Sequence, residues 1–393
     1  MSRHIAVGID VGTYQIKVVV GEYHSGKNGS GPRILGTGSS ESRGIRHGYI
    51  INQNDAIRSI KTAVRDAEKA SGIEIKSAYL AVGGVSLEST VTTGRVIISR
   101  GDDEISELDV EHAMQASESS IPQSISLNKK ILHAIPIRYH LDGHEILGRP
   151  IGMKGVKLEI ETLYILCLEQ HLEDLIDAIE SIGIEVTDVM AAPLSASLVT
   201  LSKTQKIAGC VLANIGAETV SIIVYENNVP ISLQTFPIGS TDITNDIALG
   251  LKIPLEDAER VKLGIGNHAS SVPKKKLDEI IVARLSDIFE LIEAHLKKIN
   301  RNGLLPAGII ITGGGSGITT VEDLARALLR LPSKIGEMRV VGNGKQAGIS
   351  DSTWAVAYGL CIYGFTQERA TSPVRALTGL RKRIASLIRH ILP

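Results

Sequence analysis

Two segments of this chain, separated by roughly two hundred residues, follow the same pattern. Residues 5–20 read IAVGIDVGTYQIKVVV, and residues 208–224 read AGCVLANIGAETVSIIV. Each segment has an apolar strand, a polar residue, a glycine two positions later, a tight turn and a second strand rich in β-branched residues. The repeat predicts two duplicated halves that face each other, because the two hairpins hold corresponding places in the two halves of the chain.

The turn of the first hairpin has the residue types of a phosphate-binding loop. Gly12 lets the backbone approach a ligand closely, and successive N–H groups of a turn form a nest for phosphate oxygens. Asp10 would hold a hydrated Mg²⁺ ion, Thr13 would offer a hydroxyl group, and Lys17 would place a positive charge near a β- or γ-phosphate. An ordinary glycine turn between two strands is the alternative. The repeat favours a nucleotide clamped between the halves.

The second hairpin lacks groups that hydrolysis would need. Asn214 carries no charge for Mg²⁺, and Glu218 would repel a phosphate group unless its side chain points away. Gly216 still allows the tight turn. We therefore expect a loop that binds nucleotide and turns it over slowly, and the sequence identifies no catalytic residue.

Two further segments complete the predicted nucleotide site. Gly313, Gly314 and Gly315 follow a buried strand, where a glycine run lets the backbone pack against a base or ribose and offers N–H groups to phosphate. Glu259 and Lys262 share one helix face and would flank the purine and the ribose hydroxyl groups. The alternatives are a plain loop for the glycines and a solvated charged face for the helix.

The composition narrows the class of protein. With 393 residues, the chain is long enough for two or more domains. A net charge of −1 and an aromatic content of 3% argue against nucleic-acid binding. Cys167, Cys210 and Cys361 lie far apart in apolar segments without zinc-site spacing, so we expect reduced core residues in a cytoplasmic protein. Neither a signal peptide nor an apolar run of ~18 residues is predicted.

The order of predicted elements indicates an α/β fold with two insertions. Residues 85–162 have alternating strands around one helix (Glu107–Ser119) and indicate an inserted α+β subdomain. Residues 244–303 are mostly helical and indicate a second insertion. Near the first hairpin we expect a turn over Gly29–Pro32 and a glycine-bounded loop over Ser42–Gly48.

The C-terminal segment has the pattern of a helix that lies on a membrane surface. At about 100° per residue, its large apolar residues fall within an arc of about 140°. These residues are Leu377, Leu380, Ile384, Leu387, Ile388, Ile391 and Leu392. The segment has no acidic residue. Its cations Lys382, Arg383 and Arg389 lie outside the arc, and Arg381 lies at the edge of the arc. Such a helix binds an anionic membrane; a terminal helix packed on the body is the alternative.

With these features in place, the chain resembles the actin/Hsp70/sugar-kinase superfamily and, within it, the FtsA family of bacterial cell-division proteins. The resemblance runs from about Ile5 to the C-terminus. The stretches that carry it beyond the nucleotide loops are Ser42–Gly48, Ser77–Gly84, Ile131–Pro136, Pro150–Val156 and Ala258–Lys262.

The resemblance implies a duplicated actin-like (ribonuclease H-like) fold, in which the first insertion replaces the small subdomain of actin. It implies ATP and Mg²⁺ in the central cleft and assembly into actin-like filaments. It also implies that the protein tethers the tubulin-like protein FtsZ to the cytoplasmic face of the cell membrane at the division septum and recruits later division proteins. The C-terminal peptide of FtsZ would bind the helical insertion at Lys276 and Arg284.

The resemblance also implies a division into subdomains. The expected parts are a first core half (1–84 and 163–203), the inserted α+β subdomain (85–162), a second core half (204–243 and 304–365), a helical subdomain (244–303), a linker (366–372) and a membrane-targeting helix (373–393).

The chain departs from the family pattern in its second loop. The family usually has an acid at the position of Asn214 and glycines at Ala217 and Glu218, which predicts weak ATPase activity here. Two other functions compete. A sugar-kinase-type phosphotransferase would need a catalytic base and a sugar pocket, for which no signal is found. The actin-like protein of type IV pilus assembly shares the loops and a similar insertion, but would not need its own amphipathic tail.

Overall fold

The computed structural model describes residues 4–26, 29–265, 273–338, 349 and 351–370. The predicted membrane-targeting helix, residues 373–393, lies outside these residues. The strands are β1 (His4–Val11), β2 (Gln15–Gly26), β3 (Gly29–Glu41), β4 (Ile45–Arg46), β5 (Tyr49–Ile50), β6 (Ser77–Val82), β7 (Glu88–Ile97), β8 (Lys129–Leu141), β9 (His144–Ile146), β10 (Lys157–Leu168), β11 (Glu185–Ala191), β12 (Cys210–Ile215), β13 (Val220–Glu226), β14 (Val229–Phe236), β15 (Ile309–Thr312) and β16 (Ser333–Ile335).

The helices alternate with these strands, as the sequence predicts. They are α1 (Gln53–Ser71), α2 (Glu107–Ser119), α3 (Gln123–Ser126), α4 (Glu169–Glu180), α5 (Ala192–Thr200), α6 (Lys203–Ala208), α7 (Ser240–Leu251), α8 (Leu255–Lys262), α9 (Lys274–Lys298), α10 (Val321–Leu329) and α11 (Ala355–Ala370). Short 3₁₀-helices cover Gly314–Gly317 and Ser352–Trp354. None of the described helices is long and apolar enough to span a bilayer.

The two halves of the chain build sheets with the same strand order. The first half gives β3-β2-β1-β6-β11, and the second gives β14-β13-β12-β15-β16. In each half the first strand forms an antiparallel hairpin with the second and pairs in parallel with a later strand, β1 with β6 and β12 with β15. The repeated hairpin therefore marks the repeat of a whole sheet, and the predicted duplicated fold is confirmed.

The first insertion extends the sheet of the second half. Strands β7, β10, β8 and β9 continue beyond β14, so that this sheet has nine strands. Gln234 of β14 pairs with Glu88 of β7. Beside this pair, the Ser89 hydroxyl group donates to the carbonyl oxygen of Leu233 (2.7 Å) and accepts from its N–H group (2.8 Å). The insertion thus belongs to the first half in sequence and adjoins the second half in space.

Helix α1 shows how sequence signals define one element. Asn52 caps its N-terminus by accepting a hydrogen bond from the N–H group of Asp55 (3.2 Å), and Gly72 ends it with a φ of 68°. Its apolar residues recur every three or four positions, which places them on one face against β2 and β3. The buried members of this face are Ala56, Ile60, Ala63, Val64 and Ala67.

Helices α5 and α11 cross at very short range in the centre of the molecule. An ideal Cβ at Gly359 would lie 2.1 Å from the carbonyl oxygen of Ser195, so only glycine fits at this crossing. The Ser195 hydroxyl group donates to the carbonyl oxygen of Val356 (2.8 Å). Both helices contribute small side chains to the floor of the cavity described below, including Ala192 and Ala355.

Local predictions near the first hairpin need correction. The segment Gly29–Pro32, predicted as a turn, lies in β3, where Pro32 pairs with Tyr23. Proline is tolerated there because β3 is the edge strand of its sheet and has a free side. The predicted loop Ser42–Gly48 contains β4, which pairs with β5. Strand β9 and helix α3 were not predicted, since each is only three or four residues long.

Candidate functional site

A cavity of about 1030 Å³ is lined by residues from both halves of the chain. Its volume is at the upper end of the range for small-molecule sites. Every residue predicted to bind nucleotide lines it: Asp10, Gly12, Thr13, Lys17, Asn214, Gly216, Glu259, Lys262, Gly313, Gly314 and Gly315. The fold therefore brings four segments that are distant in sequence to one place.

The first hairpin places a carboxyl group and an ammonium group side by side. Asp10 on β1 and Lys17 on β2 are register partners. Burial raises the pKa of Asp10 to about 6, against the opposing effect of the Lys17 charge. Burial also lowers the pKa of Lys17, and the charges of Asp10 and Asp351 oppose that shift. The Lys17 Nζ atom donates to the carbonyl oxygen of Thr353 (2.9 Å), which holds the ammonium group at the cavity wall.

The second hairpin and the glycine run meet because β12 and β15 are parallel neighbours. Asn214 pairs in register with Thr312, the residue before the glycines. Gly313 has a φ of 84°, and an ideal Cβ there would lie 2.3 Å from Asn214 Oδ1 and 2.6 Å from the carbonyl oxygen of Ile215. An ideal Cβ at Gly314, in contrast, meets nothing within 4 Å. The glycine run therefore combines one position that requires glycine with open backbone that lines the cavity.

Glu218 points away from the cavity, and it contacts the first half of the chain instead. Its carboxylate accepts a hydrogen bond from the N–H group of His47 (2.6 Å) and pairs with the guanidinium group of Arg46 (2.8 Å). Because its carboxylate points away from the cavity, Glu218 would not repel a phosphate group there. Gly216 closes the turn by donating its N–H group to the carbonyl oxygen of Thr219 (2.9 Å).

Glu259 and Lys262 form an ion pair at the helical side of the cavity. The Lys262 Nζ atom lies 2.7 Å from Glu259 Oε2 and donates to Thr244 Oγ1 (2.9 Å) and to the carbonyl oxygen of Ser240 (3.2 Å). The Thr244 hydroxyl group donates to Glu259 in turn. The Lys262 side chain is only 8% exposed. The alternative of a solvated charged face therefore does not describe this pair, which belongs to a hydrogen-bonded polar cluster at the cavity wall.

The cavity also contains residues that sequence reasoning missed. Lys274 and Asp278 of α9 line it, and so do Ser352 and Thr353 next to α11. Thr320 lines it too, and its buried hydroxyl group has no hydrogen-bond partner among the described residues. No local pattern marks these positions, because they reach the cavity only through the packing of distant helices. A buried hydroxyl group without a partner and a glycine cradle fit a ligand with many acceptor oxygens.

Comparison with known proteins identifies the family. The family model "Cell division protein FtsA" matches residues 211–359, and the model "SHS2 domain inserted in FTSA" matches residues 84–166. The cell division protein FtsA of Borreliella burgdorferi is 32% identical over 391 residues, covering 94% of this chain and 93% of the relative. The chain belongs to the FtsA family. FtsA of Bacillus subtilis is 30% identical, covering 89% of this chain and 80% of the relative.

Solved structures support the fold assignment. The PilM–PilN type IV pilus biogenesis complex includes a chain that superposes with a TM-score of 0.67 at 16% identity, covering 91% of this chain and 98% of that one. MreB5 of Spiroplasma citri bound to ADP gives a TM-score of 0.55 at 13% identity, covering 94% and 99%. At these identities the likeness shows the actin-like fold that this FtsA-family chain shares with both.

The residues predicted to bind the FtsZ peptide lie on α9, in different environments. Lys276 is exposed near the start of the helix. Arg284 is half-buried and donates two hydrogen bonds to Asp246 of α7 (2.7 and 3.0 Å), with Asp287 at 3.2 Å. The Asp246 hydrogen bond raises the pKa of Arg284 further. In this FtsA-family structure Lys276 is open to a ligand, whereas Arg284 already has two carboxylate partners.

Proposed function

We propose that this FtsA-family protein binds ATP with Mg²⁺ in the cavity between its halves and acts as a membrane-tethered adaptor of cell division. The observation that carries the nucleotide site is the meeting of both glycine hairpins and the glycine run around one cavity of about 1030 Å³. Such turns offer backbone N–H groups to phosphate oxygens. MreB5, which shares the fold, is described as bound to ADP, and this supports the same ligand class here.

In this proposal each cavity residue that the sequence predicts has a role. Lys17, the N–H groups around Gly12 and Thr13, and the turn that follows Gly216 would bind phosphate oxygens. Asp10 would hold Mg²⁺ through water. The glycine run at Gly313, Gly314 and Gly315 would pack against the nucleoside, with Glu259 and Lys262 beside the purine and ribose. When bound, Mg²⁺ would offset the phosphate charge; the uncharged Asn214 at this site favours slow turnover.

The adaptor role combines further parts of the chain. We propose that the FtsZ C-terminal peptide binds α9 near Lys276 and Arg284, that copies of the chain assemble into actin-like filaments, and that later division proteins are recruited. The basic amphipathic segment 373–393 would bind the anionic cytoplasmic face of the cell membrane at the septum. The subdomain boundaries given above, including the linker 366–372, are part of the same proposal.

The type IV pilus role is the alternative, since a chain of the PilM–PilN complex shares the fold. The sequence comparisons favour division, because relatives of 26–32% identity along nearly the whole chain are cell division proteins FtsA.

Isothermal titration of the full chain with MgATP tests the nucleotide site. We expect saturable binding that Lys17→Ala weakens by about tenfold, in line with the loss of one charge-assisted contact. Lys61→Ala, on the exposed face of α1, is the matched control and should leave the dissociation constant unchanged. Absence of binding by the folded protein would refute the nucleotide site, and an unchanged constant in Lys17→Ala would refute the role of the first loop.

A further inference from the structure

Glu218 of the second hairpin holds a turn of the first half by several contacts. Its Oε2 atom accepts a hydrogen bond from the His47 N–H group (2.6 Å), and its Oε1 atom lies 2.8 Å from Arg46 Nε. Its own carbonyl oxygen lies 3.2 Å from His47 Nδ1. Both carboxylate oxygens are thus engaged, and the Glu218 side chain is 13% exposed, whereas that of Arg46 is 63% exposed. Because Arg46 is exposed, water screens its ion pair with Glu218. The charge-assisted hydrogen bond from the His47 N–H group is therefore the stronger of the two Glu218 contacts.

Both sides of this contact are anchored in their own halves. On the first-half side, the His47 carbonyl oxygen accepts from the N–H group of Val85 (3.1 Å). Gly48 packs so closely on Gly84 that an ideal Cβ at Gly48 would lie 2.4 Å from the Gly84 Cα atom. On the second-half side, the carbonyl oxygen of Ala217 accepts from the N–H group of Thr241 at the start of α7 (2.8 Å). Separation of the two halves at this point therefore requires that the Glu218 contacts break.

The contact lies at the wall of the proposed nucleotide cavity. Gly48 and Gly84 line the cavity from the first half, and Gly216 and Ala217 line it from the second. Arg46, His47 and Glu218 themselves are not among the lining residues. The contact therefore bridges the halves immediately behind the cavity wall, where its side chains would not touch a ligand in the cavity. Among the other contacts between the halves described above, the one between Ser89 and Leu233 involves no cavity-lining residue, whereas the hydrogen bond from Lys17 to Thr353 joins two residues of the cavity wall.

We propose that Glu218 is a positioning residue that, with Arg46 and His47, forms a clasp closing the nucleotide cavity and setting the speed of nucleotide exchange. The proposal rests on the nucleotide site put forward above. Because the clasp joins the two halves directly behind the cavity wall, it must open for nucleotide entry as well as for release. Because the clasp does not touch the nucleotide, it holds the free and the nucleotide-bound protein closed to the same degree. Loss of the clasp therefore changes the rates of nucleotide association and release by the same factor and leaves their ratio, the dissociation constant, unchanged. A residue that contacts phosphate would change the dissociation constant instead.

The test is stopped-flow measurement of N-methylanthraniloyl-ATP binding and release on the full chain, for the wild type and three variants. Glu218→Ala removes the whole clasp and should speed both association and release by about tenfold. Arg46→Ala removes only the exposed ion pair and should speed both by about twofold. Arg43→Ala is the matched control, because Arg43 lies in the same loop and its guanidinium group pairs within its own half, with Glu41 (3.2 Å). It should leave both rates unchanged.

A second measurement, amide hydrogen exchange, tests the clasp in the absence of nucleotide. Amide hydrogen exchange of the segment 42–48 should be faster in Glu218→Ala than in the wild type, because the His47 N–H group loses its acceptor. Glu218→Gln keeps an acceptor for this group and should give intermediate exchange.

The outcomes separate the clasp from the nucleotide site. If the wild type binds no nucleotide, the proposed nucleotide function fails, and with it the control of exchange, although hydrogen exchange still tests whether the contact exists in solution. If Glu218→Ala speeds release about tenfold and leaves association unchanged, the dissociation constant rises about tenfold. Glu218 would then stabilise the nucleotide-bound state alone, and the clasp would be refuted. Unchanged rates and unchanged hydrogen exchange in Glu218→Ala would also refute it.

Discussion

The side-chain oxygen of Asn214 occupies the space that a Cβ atom at position 313 would need. An ideal Cβ on Gly313 would lie 2.3 Å from Asn214 Oδ1, well inside van der Waals contact, and the backbone there has a φ of 84°. The two residues come from neighbouring parallel strands, Asn214 within β12 and Gly313 just after β15. The second hairpin and the glycine run therefore fit together only because position 313 is glycine.

Gly313→Ala should destabilise the protein. The added methyl group meets the Ile215 carbonyl oxygen as well as Asn214, and a left-handed backbone strains any side chain, so we expect a loss of about 2–4 kcal/mol in the free energy of unfolding. Denaturant unfolding followed by circular dichroism measures it. Gly314→Ala is the control in the same loop, since a Cβ there meets nothing within 4 Å. Equal stability of the two variants would contradict the packing described here.

Acidification should lower the free energy of unfolding, because two buried histidines resist protonation in the folded protein. Burial lowers the pKa of His133 and of His295 to about 4, from an ordinary value of 6.5. A depressed histidine pKa means that the unfolded chain binds more protons between pH 6.5 and 4, so stability is present above pH 6.5 and is lost as the pH falls towards 4. Each histidine should cost about 2 kcal/mol at pH 5 relative to pH 7.5.

His133→Gln isolates one of these contributions. The His133 Nε2 atom accepts from the Ala191 N–H group (3.0 Å), and its Nδ1 atom has no partner among the described residues. Glutamine can keep the acceptor without titrating. The variant should therefore lose about 2 kcal/mol less than the wild type between pH 7.5 and pH 5. Asp10, whose pKa is raised to about 6, stabilises the fold on acidification over part of this range, but it cancels in the comparison. Identical pH profiles would show that His133 is not buried as described.

Binding of Mg²⁺ with ATP should weaken below about pH 6. The Asp10 carboxyl group is neutral below its raised pKa of about 6, and only the charged form attracts a hydrated cation. We expect the dissociation constant for Mg²⁺ in the presence of ATP to rise by up to about tenfold for each pH unit below 6. Titration calorimetry at pH 7.5, 6 and 5 measures it. Asp10→Asn should bind weakly and with a shallower pH dependence, because only protonation of the terminal phosphate of ATP, whose pKa is also about 6, then remains; a profile as steep as that of the wild type would assign the titration elsewhere.

Removal of residues 373–393 should release the protein from anionic membranes. The segment has several cations and no acid, and each cation near an anionic surface contributes about 1 kcal/mol. Co-sedimentation with phosphatidylglycerol vesicles should therefore be lost on deletion and should be weak for the full chain with neutral vesicles. Undiminished sedimentation of the shortened chain would locate membrane binding elsewhere.

The sequence predicted those parts of the fold and site that depend on local pattern. The glycine turns at Gly12 and Gly216 and the helix Glu107–Ser119 follow from spacing and turn residues, and the structure places them as expected. The partner of Glu218 did not follow, because His47 is 171 residues away and carries no signal of the contact. Pro32 was assigned to a turn, since sequence alone does not tell an edge strand from a loop.

Of the two residues expected to bind the FtsZ peptide, Lys276 is the better position for a variant. Arg284→Glu would place a third carboxylate beside Asp246 and Asp287 and should destabilise α7 and α9 by repulsion. Lys276 is exposed on the same helix and is the better position. Lys298, exposed at the opposite end of α9, provides a matched control.

The most direct measurement is fluorescence anisotropy of a labelled C-terminal peptide of the host's own FtsZ, titrated with the full chain, Lys276→Glu and Lys298→Glu. The division role predicts saturable binding that Lys276→Glu weakens by about tenfold and Lys298→Glu leaves unchanged, because only the first charge lies at the proposed site. No binding of the peptide by the folded, ATP-binding wild type would contradict the adaptor role and favour the pilus-type function.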